Sequence, residues 1–212
     1  MIIRRATLLA SAPNLAACPS SDLPEIAFIG RSNVGKSSLV NMLTRVKDLA
    51  KVSATPGKTR LINLFNINGE WTLVDLPGYG YAKVGREDRA AFGSLITDYI
   101  QNRPNLRRTF VLIDSRLTPQ QIDLDFLEGM VHFGLPFGLI FTKSDKLSKT
   151  ATQVNVDKFM TRLGEISDVR CPVITSSSKL SHGRSEILHS ITAILAGASD
   201  IAEERETGEA VS

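Results

Sequence analysis

The chain has 212 residues, 42% hydrophobic and 22% charged, with a formal net charge of +3. That length holds one substantial core or two small ones, and one domain is expected. The charge is too mild to argue for a nucleic-acid partner without a local patch, and no stretch approaches the roughly 20 apolar residues of a membrane span.

Cys18 and Cys171 lie far apart without metal-ligand spacing. Neither a disulfide framework nor a zinc site is suggested, which suits a reducing cytosol and a soluble cytoplasmic protein. The opening MIIRRATLLASAPNLAAC has an Arg pair and a short apolar run, superficially like a secretory signal. Pro13 and Asn14 interrupt that run, so residues 1–24 read as a strand or arm packed on a domain that spans residues 25–197.

From Glu25 onward, short apolar runs alternate with helical periodicity. Ile26–Ile29 is the first run; it enters a polar Gly-rich loop and then a helix. Leu61–Ile67 and Trp71–Val74 flank Asn68-Gly69, the signature of a hairpin, so one strand should oppose the rest. Phe92, Leu95, Ile96, Tyr99 and Ile100 form one helical stripe. Phe110–Ile113 is the next strand, and Thr118-Pro119-Gln120-Gln121 reads as a helix start with Thr118 as cap and Pro119 at the first helical position. Phe137–Phe141 and Val173–Thr175 complete the strands, and Ile187, Ile191, Ile194 and Leu195 mark a last helix. After Gly197 the acidic, aperiodic residues 198–212 read as a disordered tail. Near-continuous apolar strands alternating with helices predict an α/β doubly wound sheet, six-stranded and mostly parallel with one antiparallel strand, and ligands at the strands' carboxyl ends.

The chemistry begins at Gly30-Arg31-Ser32-Asn33-Val34-Gly35-Lys36-Ser37, followed by Ser38, which matches G-x-x-x-x-G-K-[ST] between a predicted strand and a predicted helix. Such a loop turns its N–H groups onto phosphate oxygens, with the helix N-terminus adding partial positive charge. Lys36 would reach the β- and γ-phosphates and Ser37 would give its hydroxyl to Mg²⁺. Asp75-Leu76-Pro77-Gly78 fits D-x-x-G, in which the Asp holds a Mg²⁺-bound water and the Gly N–H meets the γ-phosphate; alone it is also an ordinary turn. Thr142-Lys143-Ser144-Asp145 decides between nucleotides. A carboxylate at Asp145 can accept both N1–H and N2–H₂ of guanine, a pair adenine cannot offer, while the Lys143 stem lies along the base. Thr175-Ser176-Ser177 then supplies a serine-rich loop able to reach guanine O6 and support Asp145.

With SAPNL ahead of PEIAFIGRSNVGKSSLVN, then TPGKTRLINLF, VDLPGYGYA and TKSDKL, the chain resembles the EngB (YsxC/YihA) family of bacterial ribosome-biogenesis GTPases, from about Ile2 to about Leu195. The resemblance implies a three-layer P-loop GTPase fold. It also implies GTP and GDP as ligands with Mg²⁺ and a role in large ribosomal subunit assembly, with need in cell division and septation. Thr59 becomes the switch I threonine that joins Ser37 on Mg²⁺, with Thr55 as rival, and Gly57, Lys58, Thr59, Arg60 and Leu61 become switch I contacts.

Hydrolysis is less legible. The position after D-x-x-G, where many GTPases carry a water-orienting glutamine, holds Tyr79, so slow intrinsic turnover is expected. In related GTPases an Asn at the position of Asn33 helps hold K⁺ beside the phosphates; the other reading is that Asn33 only shapes the loop. The catalytic candidates are thus Asn33, Lys36, Thr59 and Gly78. Lys58, Arg60, Lys83, Arg86 and Arg89 near the switches, with Arg103, Arg107 and Arg108 beyond, form a basic set that could meet rRNA phosphates or simply face solvent. A monomer is expected. A structural nucleotide-binding module and a small-molecule kinase are the rivals, the latter disfavoured by T-K-x-D.

Overall fold

A computed structural model describes residues 1–51, 61–80, 86–168 and 170–197, with the side chains of 86–93 left aside. Among these, seven strands form one sheet: β1 (Ala6–Ala12), β2 (Glu25–Gly30), β3 (Ile62–Ile67), β4 (Trp71–Asp75), β5 (Leu106–Asp114), β6 (Phe137–Thr142) and β7 (Val173–Thr175). Their spatial order is β1-β3-β4-β2-β5-β6-β7. β3 pairs antiparallel with both β1 and β4, and every other pairing is parallel.

The α/β fold class is as the sequence predicts, with a seventh strand beyond the six expected. That strand is β1, from the N-terminal stretch. Its apolar pattern is poor because Leu8 and Leu9 are both exposed, and the register slips between Leu8 and Ala10, a bulge that blunts an edge strand. Asn68 secures it. Asn68 lies in the left-handed region (φ 57) beside Gly69 (φ 77), closing a turn in which Glu70 N donates to Ile67 O. The Asn68 carboxamide then accepts from the N–H groups of Arg4 and Arg5 and donates to Ile2 O, so the hairpin turn also anchors the chain entering β1.

The faces of β2 show why its run is unbroken. Ile26 and Phe28 point into a core shared with α1 (Lys36–Thr44) and α5 (Arg184–Leu195). Ala27 and Ile29 point into a second core with α2 (Arg86–Asn102), α3 (Gln121–His132) and α4 (Lys149–Gly164). Alternate side chains of each central strand are therefore buried on opposite faces of a three-layer sandwich. β2 lies between β4 and β5, where successive connections go to opposite sides, so the loop after Gly30 sits at the switch point of the topology.

Three local readings change. α3 begins at Gln121, not at Pro119: Gln120 is the flanking residue in extended backbone, Thr118 makes no cap, and its carbonyl instead accepts from Gln120 Nε2. The later start puts Asp123 in the first turn, where the helix dipole favours a carboxylate. α4 has no counterpart among the predicted elements; Ser148 caps it by accepting from Ala151 N. The arginines around the start of β5 are not a free basic set. Arg108 is 8% exposed, and Arg103 grips the fully buried Glu25 through Nε at 3.0 Å and Nη2 at 2.7 Å. Only Arg107 of these three is exposed.

The Tyr99 hydroxyl also donates to Glu25, at 2.5 Å, and Arg103 Nη2 reaches Pro19 O at 2.9 Å. Burial, and then the adjacent Glu25 carboxylate, push the Tyr99 phenol far above its ordinary pKa. This cluster ties the N-terminal stretch, the start of β2 and the end of α2 together. Removing one partner strands a buried charge. Arg103→Met should lower stability by about 3 kcal/mol, roughly 6–12 °C in melting temperature for a chain of this size. Circular dichroism melts of the variant and wild type check this.

Candidate functional site

Four loops leave the carboxyl ends of β2, β4, β6 and β7 and meet over the switch point. Residues 31–35 turn sharply: Val34 N donates to Arg31 O, Asn33 (φ 65) and Gly35 (φ 106) take left-handed backbone, and Gly35 O accepts the first helical bond from Leu39 N. Val34 is buried, Asn33 is exposed, and Lys36, Ser37 and Ser38 in the first turn of α1 are half-buried. The helix N-terminus and the half-buried ammonium together make this an anion site.

The loop after β4 presses against it. Lys36 Nζ donates to Asp75 Oδ1, and Asp75 is 2% exposed. Leu76 is buried and its N–H donates to Phe28 O, extending the β2–β4 pairing. Pro77 is buried. A Cβ at Gly78 would fall 2.9 Å from Gly30 O and 3.3 Å from Ser32 N, so only glycine permits this approach of the two loops. Tyr79 then forms an isolated parallel bridge with Arg31.

The loop after β6 is stapled to the same turn. Thr142 Oγ1 donates to Val34 O at 2.7 Å, and Lys143 Nζ donates to Asn33 O at 2.6 Å. Lys143 is held in left-handed backbone (φ 60), and its ammonium also reaches Asp114 Oδ2 at 2.8 Å. Burial alone would raise the Asp114 pKa, but hydrogen bonds from Arg116 and Lys143 pull it down to about 2. Asp145 accepts from Ser177 Oγ at 2.6 Å, a bond that keeps its carboxyl below the usual range. Ser144 N donates to Ser176 O, and Ser176 N donates to Phe141 O, fixing the half-buried Thr175 and the buried Ser176 and Ser177 beside the β6 loop.

Every described candidate except Leu61 lies in these four loops, at the strand ends that lead into them, or in the first turn of α1. Leu61 is exposed just ahead of β3. Thr55, Gly57, Lys58, Thr59, Arg60 and Lys83 lie outside the described residues, as do the side chains of Arg86 and Arg89. Two participants do not stand out in the sequence. Asp114 ends β5 and holds Lys143. Asp123, 2% exposed, accepts the Tyr79 hydroxyl at 2.8 Å.

The donors fit Mg²⁺. Ser37 offers a hydroxyl and Asp75 a carboxylate, both hard oxygens, and among the described residues no group of three or more His, Cys, Asp or Glu could cage an ion. Few protein ligands suit a cation that takes the rest of its shell from phosphate and water.

An anion cradle at the switch point, with an oriented carboxylate two strands away, defines a P-loop GTPase in class. The family model for 50S ribosome-binding GTPases matches residues 25–143. A protein of Phocaeicola vulgatus called a probable GTP-binding protein EngB is 50% identical over 92% of this chain and 97% of its own. One of Bacteroides fragilis with the same name is 48% identical over 92% and 96%. The crystal structure of a probable GTP-binding protein engB shares the fold, with TM-score 0.63 and 24% identity over 82% of this chain and 99% of that one. The chain belongs to the EngB family of GTPases.

Asp123 gives the site a pH signature. Burial, opposed by the Tyr79 hydrogen bond and Arg31, pushes its pKa up to about 6. A folded pKa above the unfolded one means that the contribution to stability is complete below about pH 4 and is lost as pH rises through 6. Asp123→Asn cannot titrate. Its stability relative to wild type should therefore improve by about 2 kcal/mol between pH 4 and pH 7.5, measured by urea denaturation at both.

Proposed function

We propose that this chain binds GTP and GDP with Mg²⁺, hydrolyses GTP slowly, and uses its nucleotide state to join and leave the large ribosomal subunit or its precursor. The observation that carries the reading is the stapling of the guanine and phosphate loops. Asp145, oriented by Ser177, and Lys143, bonded to Asn33 O, belong to one hydrogen-bonded unit with residues 30–38. Base recognition and phosphate binding are then properties of a single surface.

The roles follow from the groups. Asp145 would accept the two guanine N–H donors while the Lys143 stem covers the base. Backbone N–H groups of residues 31–37 and the Lys36 ammonium would hold the β- and γ-phosphates. Gly78, packed against Gly30 and Ser32, would offer its N–H to a γ-phosphate. Ser37, with Thr59 as the proposed switch I partner, would ligate Mg²⁺. Bound there, the ion would neutralise charge on the β and γ oxygens. Slow intrinsic turnover is supported by the commitment of the Tyr79 hydroxyl to Asp123, which leaves the glutamine position without a group free to orient water. The exposed Asn33 side chain is the proposed contact for K⁺, which would supply transition-state charge in place of an arginine.

The partner reading is supported by the description of the matched family, 50S ribosome-binding GTPase. Membership of that family also motivates the proposed need for this protein in division and septation. A cytoplasmic monomer is proposed with it; among the described residues no helix is long and apolar enough to cross a membrane.

Base selectivity is tested by Asp145→Asn. An amide cannot accept both guanine donors, but its NH₂ can donate to the C2 carbonyl of xanthine. GDP affinity should fall at least ~100-fold while xanthosine diphosphate gains relative to it, read by displacement of a fluorescent nucleotide.

The switch role is tested by phosphate release from GTP, alone and with large ribosomal subunits, in KCl and NaCl. Turnover should be slow alone and rise severalfold with subunits in KCl, and Asn33→Ala should abolish the difference between the salts. Binding of GTP with turnover indifferent to subunits and salt would favour a nucleotide-dependent binding module instead.

A further inference from the structure

The residues just after Gly78 are docked on α3, the Tyr79 side chain turning to that helix while its backbone bridges Arg31 of the 31–35 loop. The Tyr79 ring stacks on Phe126 with centroids 4.5 Å apart and planes 12° from parallel. Its hydroxyl donates to Asp123 Oδ1 at 2.8 Å. Gly80 comes next in left-handed backbone (φ 74), so close to α3 that a Cβ would fall 2.6 Å from Ile122 Cδ1. Ile122, Asp123 and Phe126 thus form a seat for residues 79 and 80.

We propose that this seat positions the γ-phosphate-sensing loop, so that Asp123 and Tyr79, touching no nucleotide themselves, set how well the protein distinguishes GTP from GDP. The inference rests on the proposed role of Gly78. That glycine has fixed neighbours on both sides: β4 and its extension at Leu76 before it, Tyr79 after it. Its approach to Gly30 and Ser32 leaves no room for a Cβ, and in so tight a contact a shift of the adjoining Tyr79 would be felt at Gly78. A diphosphate offers nothing to that N–H, so the seat acts on the triphosphate complex alone.

The carboxylate is unusual enough to call for a role. Asp123 is nearly sealed from solvent yet holds a side-chain hydrogen bond to a residue 44 positions away. Burial works against its charge, which Tyr79 and Arg31 favour and Asp114 opposes. An apolar residue would fill the same helical position at lower desolvation cost. What the carboxylate adds is a directional bond that fixes the Tyr79 ring.

The test is affinity for GDP and for a non-hydrolysable GTP analogue in wild type, Tyr79→Phe, Asp123→Ala, Asp123→Asn and Gly78→Ala. Tyr79→Phe keeps the ring on Phe126 and guards against a folding defect in Asp123→Ala. Both should weaken the analogue about three- to tenfold and leave GDP roughly unchanged. Asp123→Asn, which still presents an acceptor, should restore most of the ratio, and the Tyr79→Phe, Asp123→Ala double variant should be no worse than the worse single one. Equal weakening of both nucleotides, or no change in either, would mean the seat is only structural and would overturn the inference. Gly78→Ala separates the two failures. If it alone shifts the ratio, the γ-phosphate role of Gly78 stands and the seat is refuted; if it too leaves the ratio unchanged, the role of Gly78 falls and the inference with it.

Discussion

A phosphate-binding loop that turns its N–H groups inward turns its carbonyls outward, and those carbonyls need donors that are not the ligand. Here the donors come from the guanine motif. Thr142 gives its hydroxyl to Val34 O, and Lys143 gives its ammonium to Asn33 O. Both bonds span more than a hundred residues of sequence, yet they join loops that leave strands separated only by β5. The site depends on this constraint: the loop's carbonyls are satisfied by residues of the motif proposed to read the base. Asp114 extends the same logic: its Oδ2 accepts from the Lys143 ammonium and from Arg116 Nη2, while its Oδ1 accepts from Arg116 Nε.

At the opposite end of β2 the problem is the reverse, a charge carried into a dry place. Glu25 is fully buried and is satisfied by Arg103 and Tyr99 from the end of α2. The sheet is thus clamped at the amino end of its central strand and stapled at the carboxyl end. α2 is clamped at its far end, while α3 seats the loop after β4.

How much of this could be read in the sequence depended on where the partner of each residue lay. The 30–38 loop, Gly78 and Asp145 were legible because the chemistry demands particular residue types at short fixed spacings after a strand. Ser177 was legible as a member of a serine-rich loop able to support Asp145, though not as the particular hydroxyl that does so. Arg103 and Arg108 read as part of a basic surface because charge in a sequence looks solvated until its partner is known, and Glu25 was hidden at the edge of an apolar run. β1 was blurred by two exposed leucines around a bulge, and Thr118 resembled a cap although the chain stays extended for two residues more. Asp123 gave no signal, since nothing in a helix first turn says that a tyrosine 44 residues earlier will claim its carboxylate.

Tyr79 shows what such hidden partners change. Considered alone, a tyrosine in place of a catalytic glutamine is a loss of function, and it leaves open whether the phenol orients water in some other way. Its stacking on Phe126 and its bond to Asp123 commit the phenol to α3, and a phenol donating into a buried carboxylate is held above its ordinary pKa, by burial first and by Asp123 next, and cannot serve as a base near neutrality. On the proposed reading the residue has a mechanical role in place of a chemical one. Transition-state charge would then come from elsewhere, from the proposed cations or from a partner that contributes its own groups. If the proposed slow intrinsic turnover holds, the rate becomes a report on whatever completes the site.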